Sequence, residues 1–219
     1  LIDFASKVFN NFFINEIKKI DRETRKKWNV LHIGDTNIQD WNSIKTLLDY
    51  EDIHERPKDM YEMYRYLGFL HVDIVNINNF EDWSQDNKKY DFIFNCHSSD
   101  VFLDQIKFHE TLNDITKDQS QILHVVPYYS PFEMGFYSFN PAFFAKMASH
   151  FNYAIKHSYI GSQSLASLQK IEIVNEIARE RYAQRHFLDI KPTADKGLVG
   201  AVFISVVFEK GIIDVQEND

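Results

Sequence analysis

Val30-Leu31-His32-Ile33-Gly34-Asp35 is the stretch on which the fold of this chain turns. Large apolar and β-branched residues run from Trp28 to Ile33 and stop at a glycine. A polar turn follows, then a helical period around Ile38–Leu48. Strand, tight turn and helix in that order form the repeating unit of parallel sheets, because two parallel strands need a crossover between them. A glycine directly after the strand also lets the backbone come close to a ligand, since it has no Cβ.

The unit recurs downstream. Residues 50–58 are charged, contain Pro57 and read as loop. Met60–Leu67 has helical period, with Gly68 placed as its C-cap. Val72–Ile77 is the second strand, Tyr90–Asn95 the third and Gln121–Val126 the fourth, with helical spacing over Val101–Ile115 between the last two. Pro141 stands where a helix to Phe151 begins. Tyr153–Ile160 reads as extended, Leu165–Phe187 as a long charged helix, residues 189–197 as a connection, and Leu198–Phe208 as a last strand. This alternation predicts an α/β domain with a mainly parallel sheet covered on both faces. Ligands of such sheets bind beyond the carboxyl ends of the strands, so the loops starting at Gly34, Asn76, Asn95 and Pro127 are expected to converge on one crevice.

The organisation expected is one domain over 1–219. Residues 1–27 form an N-terminal helical extension, and 161–197 a helical insertion and linker before the last strand. Phe4, Val8, Phe9, Phe12, Phe13, Ile17 and Ile20 recur at helical spacing and are expected to pack on the domain. No repeat of fixed period and no low-complexity tract is present. Leu1 in place of Met reads as a trimmed chain or one cut from a longer protein.

With 44% apolar residues the chain builds a real core, and a net charge of −8 argues against a nucleic-acid partner. The local basic run Lys18, Lys19, Arg22, Arg25, Lys26 and Lys27 reads as a solvated helix end and linker. Cys96 is the sole cysteine, which excludes an intrachain disulfide and a cysteine-based zinc site. No stretch reaches the roughly 18 apolar residues of a membrane span, and no signal peptide is seen. A cytoplasmic location away from membranes is the expectation.

Four segments carry candidate chemistry. Gly34 and Asp35 close the first strand, but Thr36 and Ile38 stand where a dinucleotide fingerprint has further glycines, which disfavours NAD. Asn76 and Asn78 end the second strand, where an acid commonly takes ribose hydroxyls; an amide makes the neutral version of that bond. Asn95-Cys96-His97-Ser98-Ser99-Asp100 is the densest polar cluster, and without a Gly-x-Ser-x-Gly elbow it does not read as a hydrolase. Pro127-Tyr128-Tyr129 through Gly135-Phe136-Tyr137-Ser138-Phe139-Asn140 is an aromatic loop suited to walling a ligand, with Phe132 adding to it. Its rings equally suit a cover for the sheet or a dimer interface. No close histidine pair points to a metal, and none is assigned.

The order of Val30–Gly34, Asn76, Tyr90–Asn95 and Gln121–Pro127 resembles the successive strand-end motifs of class I S-adenosylmethionine-dependent methyltransferases, over residues 28–160. Gln105, His109, His124-Val125-Val126-Pro127 and Gly135–Phe144 are similar to a subgroup linked to surface-sugar or small-metabolite modification. Where that subgroup has Gly-Thr-Thr-Glu-His, this chain has His97-Ser98-Ser99-Asp100-Val101. The resemblance implies a Rossmann-like three-layer sandwich whose last strand is antiparallel. It implies S-adenosylmethionine as cofactor, held by Gly34, Asp35, Asn76, Asn78, Asn95 and Cys96. The implied acceptor is an oxygen of a small polar metabolite or sugar, bound by Tyr128, Tyr129, Tyr137 and Asn140. His97, His124 and Asp100 are the candidates for the base that a weakly acidic hydroxyl needs. The altered cofactor positions leave a second reading open: a methyltransferase fold without turnover, acting as a binding or scaffolding domain. A side chain at Gly34 is expected to weaken nucleoside binding more than it unfolds the chain.

Overall fold

The computed structural model describes residues 17, 19–34, 55–76, 80, 87–96, 98–129, 137–162, 169–170 and 202–211. Outside them lie the helix expected around 38–48, the loop 130–136, most of 161–197 and the N-terminal helix apart from Ile17, Lys19 and Ile20. Ile17 is buried, as a core-packing stripe requires.

Strand β1 (Asn29–Gly34) pairs in parallel with β2 (His71–Val75) on one side and β3 (Tyr90–Cys96) on the other. Strand β4 (Thr116–Tyr129) pairs in parallel with β3. Next come β5 (Tyr153–Ser162), the two-residue β6 (Gln169–Lys170) and β7 (Val202–Lys210). β7 lies between β4 and β5 and is antiparallel to both, while β6 is antiparallel to β5 at the edge. The sheet order is β2-β1-β3-β4-β7-β5-β6, a mostly parallel α/β arrangement in which β7 runs against its neighbours.

Alternation along the strands divides the core between two faces. One face carries Leu31, Ile33, Ile93, Ile122, Val126, Ile204, Val206 and Phe208. It packs on Phe108 and Leu112 of helix α3 (Gln105–Ile115) and Phe144 and Ala148 of helix α4 (Pro141–Phe151). The other carries His32 and Phe94, and meets Tyr64 of helix α2 (Met60–Tyr66), whose hydroxyl lies 3.2 Å from His32 Nδ1. Burial from both sides is why β1 and β3 are near-continuous apolar runs. Gly68 follows α2 at φ +94, with its N–H donating to Arg65 and that of Phe69 to Tyr64, so the C-cap expectation holds.

Several expectations need correcting. The fourth strand is not 121–126 but runs from Thr116 to Tyr129, because β7 pairs with it through Pro127 and Tyr129. Pro127–Tyr129 therefore belong to sheet rather than loop. Helix α3 begins at Gln105, not Val101: the Asp104 carboxylate accepts the Lys107 N–H and caps it, leaving Ser99–Val101 as a 3-10 turn. Gln169 and Lys170, expected to be helical, pair with Ile160 and Tyr159 as strand. In the basic run, Lys26 pairs with Glu23 in helix α1 (Arg22–Lys27), but Arg25 is buried rather than solvated.

Gly34 has φ +127. A Cβ built there would sit 2.1 Å from the Cys96 carbonyl oxygen and 2.8 Å from Ser98 Oγ. The close approach of β1 and β3 calls for the glycine, so a side chain here is expected to strain the fold as well as the ligand end. Gly34→Ala is expected to destabilise the protein by about 2–3 kcal/mol through backbone strain and contact with an immovable carbonyl. Denaturant unfolding measures it; a loss below about 0.5 kcal/mol would show that the strand ends relax freely.

Candidate functional site

The strand order reverses between β1 and β3, since the chain leaves β1 for β2 on one side and returns to β3 on the other. In open α/β sheets that reversal opens a crevice beyond the carboxyl ends of the two strands, where helices no longer cover the backbone. Gly34 and Cys96 are paired in register at this end. Asn76 follows β2 directly and is exposed, as a hydroxyl-binding amide has to be. His97, Asp35 and Asn78 lie outside the described residues.

The far wall of the crevice is the turn after β3. Ser98 Oγ donates to the Cys96 carbonyl at 3.2 Å, folding the turn back over the strand end. Gln105 reaches from α3 and donates its amide to the carbonyls of Ser99 and Phe102. Asn95 lies beneath, fully buried, with Nδ2 3.0 Å from Ser99 Oγ and 2.9 Å from His124 Nδ1. Asp100 is buried and its carbonyl accepts the Tyr137 N–H at 3.1 Å; the Tyr137 hydroxyl donates to the Leu103 carbonyl at 2.8 Å. Tyr137 thus straps residues 137–140 to the turn while its ring stays partly exposed, beside exposed Val101, Leu103 and Ile106.

His124 is not where a base for an acceptor has to be. It is 1% exposed, inside the sheet–helix layer, with its ring 5.3 Å from His109, 5.8 Å from Phe144 and 5.4 Å from Phe208. Burial holds its imidazole well below the usual histidine range, and His109 adds to that. Its location takes it out of the base role and makes it an interior, neutral imidazole. Cys96 is a buried thiol outside any disulfide; what it offers the strand end is the carbonyl against Gly34.

Of the acceptor candidates, Asn140 is a helix cap. Its side chain accepts the Phe143 N–H at 2.9 Å, with Pro141 at the first turn of α4, so that function accounts for it without a ligand. Phe139 is core, 4.9 Å from the Phe143 ring and bonded through its N–H to the Pro127 carbonyl. Tyr128 is half-buried, and burial raises its hydroxyl pKa. The side chains of Tyr129, Phe132 and Phe136 lie outside the described residues. Ser98 and Ser99 belong to the polar cluster picked out in the sequence, but their part here is to shape the turn through hydrogen bonds to Cys96 and Asn95.

Among the described residues, no group of three or more His, Cys, Asp or Glu is placed to hold a metal, and no helix is long and apolar enough to cross a membrane. No family model and no curated protein matches the chain. Solved structures similar to it include an S-adenosylmethionine-dependent methyltransferase from Archaeoglobus fulgidus, at 17% identity and TM-score 0.42, over 92% of this chain and 94% of that one. The YcgJ protein from Bacillus subtilis is similar at 12% identity and TM-score 0.49, over 92% and 99%. TehB from Haemophilus influenzae is similar at 12% and 0.48, over 95% and 66%. All three scores lie below 0.5, and the fold described above rests on the strand order itself.

The two interior imidazoles set a pH dependence. Burial lowers His109 from its ordinary 6.5 to about 3, and His124 moves the same way. Below pH 6.5 the unfolded chain takes up protons that the folded chain refuses, so stability falls as pH falls from 6.5, and is insensitive to these groups above it. His109 alone is expected to contribute a loss on the order of 2–3 kcal/mol by about pH 4.5. Denaturant unfolding from pH 7 to 4.5 measures it, and His109→Gln is expected to flatten the slope. An equal slope in the two proteins would refute the assignment.

Proposed function

We propose that this chain is an S-adenosylmethionine-dependent methyltransferase acting on an oxygen of a small polar metabolite or sugar. The observation that carries the reading is the reversal of strand order between β1 and β3, which in open α/β sheets opens a ligand crevice beyond the strand ends. A positive-φ glycine closes one strand end there and a hydrogen-bonded turn walls the other. Among the described residues, the groups that close the strand ends are amides, hydroxyls and carbonyls, with the buried carboxyl of Asp100 in the turn and an exposed amide at the end of β2. Such a set suits a nucleoside better than a dinucleotide, whose pyrophosphate asks for a glycine-rich cradle at a helix N-terminus. The cofactor, when bound, supplies a methyl group on a sulfonium.

In this reading Gly34 and Asp35 line the nucleoside, Asn76 and Asn78 take the ribose hydroxyls, and the Asn95–Cys96 strand end sets the floor. Tyr128, Tyr129 and Tyr137 orient the acceptor, and orientation alone can lower a displacement barrier substantially. With His124 in the interior, His97 and Asp100 remain to take the acceptor's proton. The scaffolding alternative draws support from the same geometry: Asp100 is buried, and the second strand end carries an amide rather than an acid.

Isothermal calorimetry with S-adenosylmethionine and S-adenosylhomocysteine separates the readings. Saturable binding at micromolar strength, weakened about tenfold in Asn76→Ala, is expected. Binding without methyl transfer to any hydroxylated acceptor would favour the scaffold; no binding of either nucleoside would reject the proposal.

A further inference from the structure

The turn at residues 98–101 is held from below by a polar group that the crevice itself does not explain. Asn95 is fully buried, and its amide nitrogen faces both Ser99 Oγ and His124 Nδ1. In this arrangement both amide hydrogens are used and only the carbonyl oxygen lacks a bond. Rotating the amide by half a turn would turn both of its hydrogens to where Oδ1 has no partner, two orphaned hydrogens against the single one that the present orientation leaves on the buried, unbonded His124 Nε2, so the present orientation is favoured. The orientation fixes the histidine: Nδ1 has to accept, so its proton sits on Nε2.

We propose that Asn95 and His124 are positioning residues of the crevice, locking the Ser99–Asp100 turn in place through a single histidine tautomer. The inference rests on the proposed methyltransferase reading only for its consequence on ligand binding; the lock itself stands on geometry. A proton arriving at Nδ1 would turn an acceptor into a donor facing another donor, and would unlatch the turn from β4. From α3 the imidazole meets His109, whose Nε2 is buried and unbonded; from α4 and β7 it meets Phe144 and Phe208. Lys107 and Glu110 on α3 and Lys146 on α4 are exposed, and Glu209 alternates to the other face of β7, where it pairs with Lys156. Asp100, in the turn itself, is the buried carboxyl next in line.

Nitrogen-15 NMR of the histidine rings in the full chain tests the tautomer without any substitution. The Nε2–H form of His124, unchanged from pH 8 to about 5, is expected; a proton on Nδ1 overturns the proposal. Amide hydrogen exchange tests the lock. The N–H groups of Val101 and Phe102, bonded to Ser98 and Ser99, are expected to exchange about tenfold faster in Asn95→Ala, while those of β1 keep the parent rate. Unchanged exchange at 101 and 102 refutes it. Should Asn95→Ala fail to fold, Asn95→Asp decides. A carboxylate in that place calls the proton to Nδ1, so His124 is expected to change tautomer and to titrate above pH 5; a ring that keeps the parent signals refutes the lock. Affinity for S-adenosylhomocysteine is expected to fall about tenfold in either folded variant. A parent that binds none of it rejects the cofactor reading and leaves the ring and exchange results to judge the lock.

Discussion

The carbonyl oxygen of Cys96 occupies the space that any side chain at position 34 would need, and the rest of the ligand end follows from that contact. Because the two backbones touch, β1 and β3 stay in register to their last residues, Gly34 against Cys96. After Cys96 the chain folds back over the strand end through Ser98. A crevice at a strand-order reversal is a property of topology; its narrow floor here is a property of one glycine.

Polar groups in the layer between sheet and α3 and α4 are costly unless bonded. Asn95, Ser99, His109 and His124 could have been apolar without changing the strand order. Their presence trades stability for definition at one place, the turn that faces the crevice. The hydrogen bonds of Gln105 and Tyr137 reach the same turn from two other directions, so the segment following β3 is held by α3, by β4 and by residues 137–140 together. A ligand wall built this way resembles core more than loop.

The parallel half of the sheet was legible because β1 and β3 are buried on both faces and therefore apolar throughout, and because Gly34 and Gly68 mark real changes of backbone hand. The ends of β4 were not, since a strand that meets different partners along its length, β3 at Thr116 and Gln121–Val125 and β7 from Gln121 to Tyr129, shows no single hydrophobic period. His124 and Asn140 show where residue chemistry misleads. A histidine near the expected end of a strand looks reactive until its depth is known. An asparagine before Pro141 is a capping pair, and it passes for a ligand group only when read apart from the helix that follows. The brief strand at Gln169–Lys170 left no trace in a sequence rich in charge, since two residues are too few to show a period.

The placing of β7 bears on how the molecule is assembled. Residues 202–210 wedge between β4 and β5, which are made far earlier in the chain. Until that segment emerges, the facing edges of β4 and β5 carry rows of unsatisfied amides and carbonyls, a template for pairing with other chains. The parallel strands can close on themselves during synthesis, but the other half waits for a contact that is long in sequence and slow to find. Newly made copies are therefore most vulnerable to aggregation in the interval between β5 and β7, and a chaperone would find its task there.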